Sequence, residues 1–273
     1  MCKQLYASVS VVIPCYQCAH TIFRAVESIV QQTLKPFEVI LVDDGSDSET
    51  IESLYEVQNL YGSDWIKILE SPENKGPSVA RNKGWNYAVS SYVAFLDADD
   101  SWHPQKIEIQ YLWMMEHPKI IFTGHHIRVK PVHRSHNIDI SKVVSSRISN
   151  KSLLWSNCFS TPTVMIRADI DFKFDEAQFF AEDYLLWLKI SFSTKEVYLF
   201  NEELAFIYKE PFGEAGLSQN LWLMEKGELI VYWKLYKSED IALYHFAALW
   251  CYSMIKYFRR VLVSCITPSK GGL

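Results

Sequence analysis

Residues Tyr92–Asp100, "YVAFLDADD", run from a continuous apolar segment directly into Asp97, Asp99 and Asp100. A strand with one solvated face would alternate apolar and polar side chains. This one does not alternate before Asp97, so it is predicted to be buried on both faces, as in a parallel sheet. The acids then fall where the strand leaves the core. Two such charges about 4 Å apart repel by roughly 1 kcal/mol in water and about 4 kcal/mol near a protein surface. A cation, a helix N-terminus or plain solvation must offset that cost.

Three similar runs precede it: "VSVVIP" (Val9–Pro14), "FEVILVDD" (Phe37–Asp44) and "WIKILES" (Trp65–Ser71). Helical periodicity fills the gaps, in His20–Thr33, in Ser48–Gly62 and in Pro77–Ser91, where Pro77 suits a first helical turn. Strand and helix alternating at this spacing predict an α/β fold with a Rossmann-like, mostly parallel sheet flanked by helices. Ligands of such sheets bind outside the carboxyl ends of the strands. Every unusual polar cluster here lies at such an end: Pro14-Cys15-Tyr16, Asp43-Asp44-Gly45-Ser46, the loop with Gly76 ahead of Arg81, and Asp97–Asp100.

Composition narrows the function classes. The 273 residues are 49% hydrophobic and 22% charged, ordinary for a globular protein with ample core. A net charge of −5 argues against nucleic-acid binding by phosphate neutralisation. Pro14 interrupts the N-terminal apolar stretch too early for a signal peptide, and no apolar window reaches the length of a membrane span, so a cytoplasmic chain with its six cysteines reduced is expected. Cys15 and Cys18 form one C-x-x-C without a second pair to complete a zinc site, and read as free thiols.

Carboxylates pooled beside an arginine on a nucleotide-type sheet suit Mn²⁺ or Mg²⁺ bound to a diphosphate, because hard cations take oxygen ligands. Asp44 could accept from a base N–H and Tyr16 could stack on the base. Against this stand a simple "DDGS" turn and a solvated helix start before "SWHPQK". A phospho-acceptor receiver domain places its acid pair after the first strand, whereas here a full βα unit comes first.

"SVVIPCY", "VILVDDGSD", "NKGPSVARNKG" and "FLDADD", followed by "STPTVMIR" and "FFAEDYLLWLKI", occur in an order that resembles the family-two glycosyltransferases with the GT-A fold, over about three quarters of the chain. The resemblance implies an inverting transferase of the bacterial surface-polysaccharide type using a nucleotide diphosphate sugar. Pro14 and Tyr16 would line the base pocket, Asp44 would hold the base N–H, and Gly76 and Arg81 would flank the nucleotide. Asp97 would approach the ribose or the metal's water shell, Asp99 would coordinate Mn²⁺ or Mg²⁺, and Asp183 would be the general base, with Glu182 beside it among the acceptor-binding residues. A helix N-terminus at Asp183 favours its ionised form. Trp187, one turn on, could stack on a sugar or belong to the core. A carboxylate at Asp44 suits the N3–H of uracil, which favours a UDP-sugar over dTDP or GDP donors. The acceptor would be a glycan or lipid-linked saccharide. A catalytically silent nucleotide-sugar-binding module and a sugar nucleotidyltransferase are the competing readings; the latter expects a glycine-rich basic loop where this chain has "PCYQCAHT".

The resemblance divides the chain into a nucleotide-sugar half (1–103), an acceptor half (104–220) and a C-terminal helical extension (221–273). A "QxxRW"-type motif and membrane spans, which mark processive relatives, do not occur, so single additions are expected. "GHHIRVKPVHRSH" (Gly124–His136) could add a metal ligand or an anion contact, or be a basic loop, and Lys209 replaces an expected arginine. "IALYHFAALWCYSMI" (Ile241–Ile255) meets Lys256, Arg259 and Arg260. An aromatic helix ending in cations could lie on an anionic membrane surface or pack on the catalytic domain or in a dimer.

Overall fold

The computed structural model describes residues 6–129, 137–194, 196–208 and 220–266. Its first half follows the expected alternation. Strands β1 (Ala7–Cys15), β2 (Pro36–Asp44), β3 (Ile66–Ser71) and β4 (Tyr92–Phe95) are parallel, in the order β3-β2-β1-β4. Val9, Val11, Val12 and Ile13 are all fully buried, which is why β1 carries no alternation. Helix α1 (Ile22–Val30) buries Ile22, Ala25, Val26 and Ile29 at helical spacing, and α2 (Ser48–Tyr61) starts under an Asp47 carboxylate that accepts from the Thr50 amide. Helix α3 (Pro77–Tyr87) opens with proline in its first turn.

Beyond β4 the sheet continues with mixed polarity. Short β5 (Ser101–Trp102) leads to α4 (Lys106–Glu116), then β6 (Phe122–Val129), β7 (Ser145–Ile148), α5 (Asn150–Trp155) and β8 (Met165–Arg167). Strand β8 is antiparallel to β4 and β6, and β9 (Val197–Ile207) runs parallel to β6 and antiparallel to β5 and β7. One sheet therefore joins both halves. Helix α6 (Glu182–Thr194) and α7 (Leu221–Lys237) cover one face, and α8 (Leu243–Ile266) packs along α7.

Three sequence expectations need correction. The fourth strand stops at Phe95 rather than running on to Asp100, and the Asp100 amide donates to the Asp97 carbonyl (3.0 Å), so the acids occupy a tight turn just past the strand's carboxyl end and not a helix start. Trp187 is fully buried, its ring 5.1 Å from Phe122 and 5.8 Å from Phe174, so it is core and offers no face to a sugar. Lys256 and Arg260 point inward, Lys256 to Glu228 and Arg260 to Glu225, so they are not free headgroup contacts. Lys209 and His133 and His136 lie outside the described residues, while His125 is fully buried. Cys15 and Cys18 are buried free thiols.

Lys106 is fully buried, its Nζ 3.9 Å from the Trp102 ring centroid, and desolvation holds its pKa well below the ordinary lysine value. A lysine that is harder to protonate when folded costs stability once the pH is low enough for the unfolded chain to bind the proton. Lys106→Met is expected to raise the melting temperature at neutral pH, with a larger gain toward lower pH, as read by thermal denaturation across a pH series.

Candidate active site

The register Cys15↔Asp43 and Asp44↔Ser71 sets the carboxyl ends of β1, β2 and β3 side by side. Asp43 accepts from the amides of Gly45 and Ser46, closing the turn after β2. Asp44, 3% exposed, accepts from the amides of Lys75 (3.0 Å) and Gly76 (2.8 Å), which pins the β3–α3 loop against β2. Gly76 has φ +93°, a conformation that side chains rarely adopt, and it lets the chain turn into α3 with its N–H on Asp44. Pro14 is partly exposed and Tyr16 is 52% exposed at the end of β1. Pro14, Tyr16 and Asp44 thus lie at adjoining strand ends, with Gly76 held against them through Asp44.

Arg81 occupies a different place from a free cation beside a nucleotide. It is 6% exposed, and its two terminal nitrogens each donate at 2.9 Å, one to Asp97 and one to Glu182. Its guanidinium lies 5.4 Å from the Phe174 ring centroid. Burial alone would lower the Arg81 pKa, but the charges of Asp97 and Glu182 outweigh it and hold the pKa above the ordinary value. The arginine is therefore a tether between the acidic turn after β4 and the start of α6. Glu182, expected beside the acceptor, is one of its two anchors.

Asp183 stands one residue further on. Thr161 donates to its Oδ2 (3.2 Å) and the Tyr184 amide to its Oδ1 (2.6 Å). Burial and the neighbouring Glu182 push the Asp183 carboxyl up to about 7, against the opposing pull of Arg81 and these two hydrogen bonds. The helix N-terminus does not win here, contrary to the sequence expectation. The residue before Glu182, Ala181, has φ +57°, a left-handed conformation that is uncommon outside glycine. That turn is braced from α7. A Cβ at Gly227 would meet Phe180 Cβ at 2.5 Å, and Gln178 donates to both the Phe180 and Gly227 carbonyls. Lys234 adds an ion pair to Asp175 (2.8 Å).

Asp97, Glu182 and Asp183 border one cleft of about 670 Å³, and its far wall comes from α5, α7 and α8 through Trp155, Glu228, Tyr252, Lys256 and Arg260. Trp155 and Tyr252 stand edge to face at 5.1 Å and are 41% and 38% exposed, so they present the open aromatic surface that Trp187 lacks. Sequence reading missed both, together with Arg24, whose Nη2 donates to the Asp99 carbonyl (2.5 Å) while its guanidinium lies over Tyr208 (3.8 Å). No spacing rule links α5 to α8 or α1 to the acidic turn; only the folded chain does.

Asp97 and Asp99 lie on a single turn, with one Asp97 oxygen already on Arg81, and no three His, Cys, Asp or Glu side chains converge to cage an ion among the described residues. That donor set fits a hard divalent cation that takes its remaining ligands from water and a diphosphate.

The chain is 30% identical over 183 residues to the UDP-Glc:α-D-GlcNAc-diphosphoundecaprenol β-1,3-glucosyltransferase WfgD of Escherichia coli, covering 67% of this chain and 69% of that protein. An uncharacterized glycosyltransferase of Haemophilus influenzae is 25% identical over 258 residues, which is 91% of this chain and 97% of the relative. Among solved structures, Staphylococcus aureus TarS 1–349 in complex with UDP-GlcNAc superposes with a TM-score of 0.69 at 18% identity, covering 96% of this chain and 76% of that one. The mannosyltransferase PcManGT of Pyrobaculum calidifontis, in complex with GDP-Man and Mn²⁺, gives 0.66 at 16% identity, covering 98% and 77%. These likenesses establish the GT-A fold. Residues 10–172 match Glycosyl transferase family 2, a span that takes in these strand ends and the acidic turn after β4, and the chain belongs to that family.

Proposed function

We propose that the chain moves one sugar at a time from a nucleotide diphosphate sugar, a UDP-sugar in the first instance, to a hydroxyl of a lipid-linked saccharide, with inversion at the anomeric carbon. The observation that carries this reading is Asp183: a carboxylate poised near neutrality, in the same cleft as Asp97, held by Thr161 and the Tyr184 amide. Asp183 takes the proton of the acceptor hydroxyl as its oxygen bonds to the anomeric carbon. The bond from that carbon to the diphosphate breaks on the opposite face, and the electron pair leaves with the nucleoside diphosphate. Pro14 and Tyr16 would border the base, Asp44 would receive its N–H, and Gly76 would lie beside the phosphates. Asp99, with Asp97, would hold Mn²⁺ or Mg²⁺, which supplies charge neutralisation to the departing diphosphate. Trp155 and Tyr252 would take the stacking role against the acceptor sugar.

The relatives' names support the substrate classes: WfgD is named for a UDP-glucose donor and a lipid-linked acceptor, and the TarS structure holds UDP-GlcNAc. The GDP-Man complex keeps a GDP donor as the second choice. A silent nucleotide-sugar-binding module would retain the crevice but gain nothing from Asp183.

Thermal denaturation with UDP, dTDP, GDP or ADP, each with Mn²⁺ or with chelator, tests the donor side. A ligand at about a hundred times its Kd stabilises by roughly 2.7 kcal/mol, a rise of roughly 5–10 °C for a chain of this size. UDP is expected to give that rise only with Mn²⁺, and Asp99→Asn is expected to lose it. A metal-independent rise with UDP would remove Asp99 from its assigned role, and a rise with GDP alone would change the donor.

A further inference from the structure

Helix α8 is amphipathic in the inverted sense. Its inward face carries Leu249, Ser253, Lys256 and Arg260, the last two paired with glutamates of α7. Its outward face carries Tyr244, Ala248, Cys251, Ile255, Phe258 and Leu262, spaced four and three residues apart in turn, which sets them in one stripe along the helix. All six are exposed, and the four large ones lie between 57% and 69% exposed. Trp222 and Trp233 of α7 extend the same surface, one against Tyr257 at 5.6 Å and the other against Phe246 at 6.1 Å, and both are nearly half exposed. Exposed cations edge it, Arg259 on α8 and Lys226 and Lys237 on α7, and α8 contains no Asp or Glu. A contiguous apolar surface of this extent is not left to water without a use.

We propose that the α7–α8 hairpin docks on an anionic lipid bilayer, with the α8 stripe in the acyl boundary and the tryptophans and edge cations at headgroup level. No helix among the described residues is long and apolar enough to cross a membrane, so the contact is one of lying on the surface. Charge selects the occupant. A second copy seated on the stripe would bring its Arg259 and Lys226 against a helix with no carboxylate to receive them, whereas an anionic headgroup supplies one. Because the opposite face of the same helix walls the cleft that contains Asp183, docking sets the cleft beside the bilayer surface. The surface is a property of α8 itself and does not depend on the donor and acceptor chemistry proposed above.

The test is flotation of the full chain with phosphatidylcholine vesicles, with or without about one-third phosphatidylglycerol, at low and high salt. The chain is expected to float with the anionic vesicles, and Ile255→Glu/Phe258→Glu is expected to reduce the bound fraction about tenfold while its melting profile stays that of the parent. Arg259→Ala, which leaves the apolar stripe whole, is expected to weaken binding only to the anionic vesicles. The proposal is overturned if the parent chain stays in solution with both vesicle types, or if the double variant floats like the parent. It is also overturned if the parent chain is a dimer that the double variant converts to monomer without any vesicle binding, which would assign the stripe to a second copy.

Discussion

Asp183→Asn is expected to lower the transfer rate by about two to four orders of magnitude while leaving the UDP-dependent thermal shift intact. Asparagine keeps the shape and can still accept from Thr161 or the Tyr184 amide, but it cannot take a proton. The parent enzyme's own pH profile carries the same information. A base at about 7 is half ionised at neutral pH, so the turnover rate should rise tenfold per pH unit below 7 and level off above it. Stability moves the other way. The unfolded carboxyl titrates near 3.9, so the folded state, which holds its proton up to about 7, has an advantage at low pH that is lost as the pH rises through that window. The asparagine variant never bears that burial cost and should melt no lower than the parent at pH 8. Transfer by Asp183→Asn within a few-fold of the parent would sink the base assignment.

Arg81→Met is expected to be the most destabilising single change in the site. It leaves Asp97 and Glu182 close together without the cation that both contact, and removing one partner of a buried ion pair costs about 3–5 kcal/mol. The Asp97 side chain is 31% exposed, so water recovers part of its share and the low end of that range applies, a fall of roughly 6–12 °C in melting temperature. Arg81→Lys should recover less than half of it, because one ammonium on a flexible stem cannot reproduce the fork that reaches both acids. The arginine also pulls the Asp183 carboxyl down, so in any folded Arg81→Met protein the rise in the pH–rate profile should move to higher pH. Thermal melts and that profile together separate a tether from a nucleotide contact: a parent-like melting temperature with weakened UDP binding would restore the latter.

The strands that carry the proposed donor residues were legible because their information is local. Each strand from Val9 to Phe95 is an apolar run, and the proposed donor residues Tyr16, Asp44 and Asp97 lie at a strand's last residue or within two residues past it, so reading the strands places them. Asp183 came instead from the resemblance of "FFAEDYLLWLKI" to a family motif, the acidic pair ahead of an apolar helix being open to a simple capping reading. Three things were not legible. Trp187 and Trp155 are both aromatic residues on or at the end of helices, and only packing against Phe122 and Phe174 decides that the first is core. The protonation of Asp183 depends on its burial and on Arg81, about a hundred residues earlier in the chain, quantities no local pattern encodes. In sequence Lys256 and Arg260 end a helix that could face a membrane or pack on the domain, and only the glutamates of the preceding helix decide for the inward direction.

The glycine contact between α7 and the Phe180 turn has a consequence for how such a chain can diversify. On the proposed reading the four parallel strands carry the donor residues, while much of the acceptor wall and the prop behind Asp183 are lent by this late hairpin. New acceptors can thus be sampled by changing the hairpin's inner residues, with the nucleotide crevice left as it is. The limit on that freedom is steric: whatever replaces the hairpin must still bring a backbone without a side chain up against Phe180, or the base moves with it.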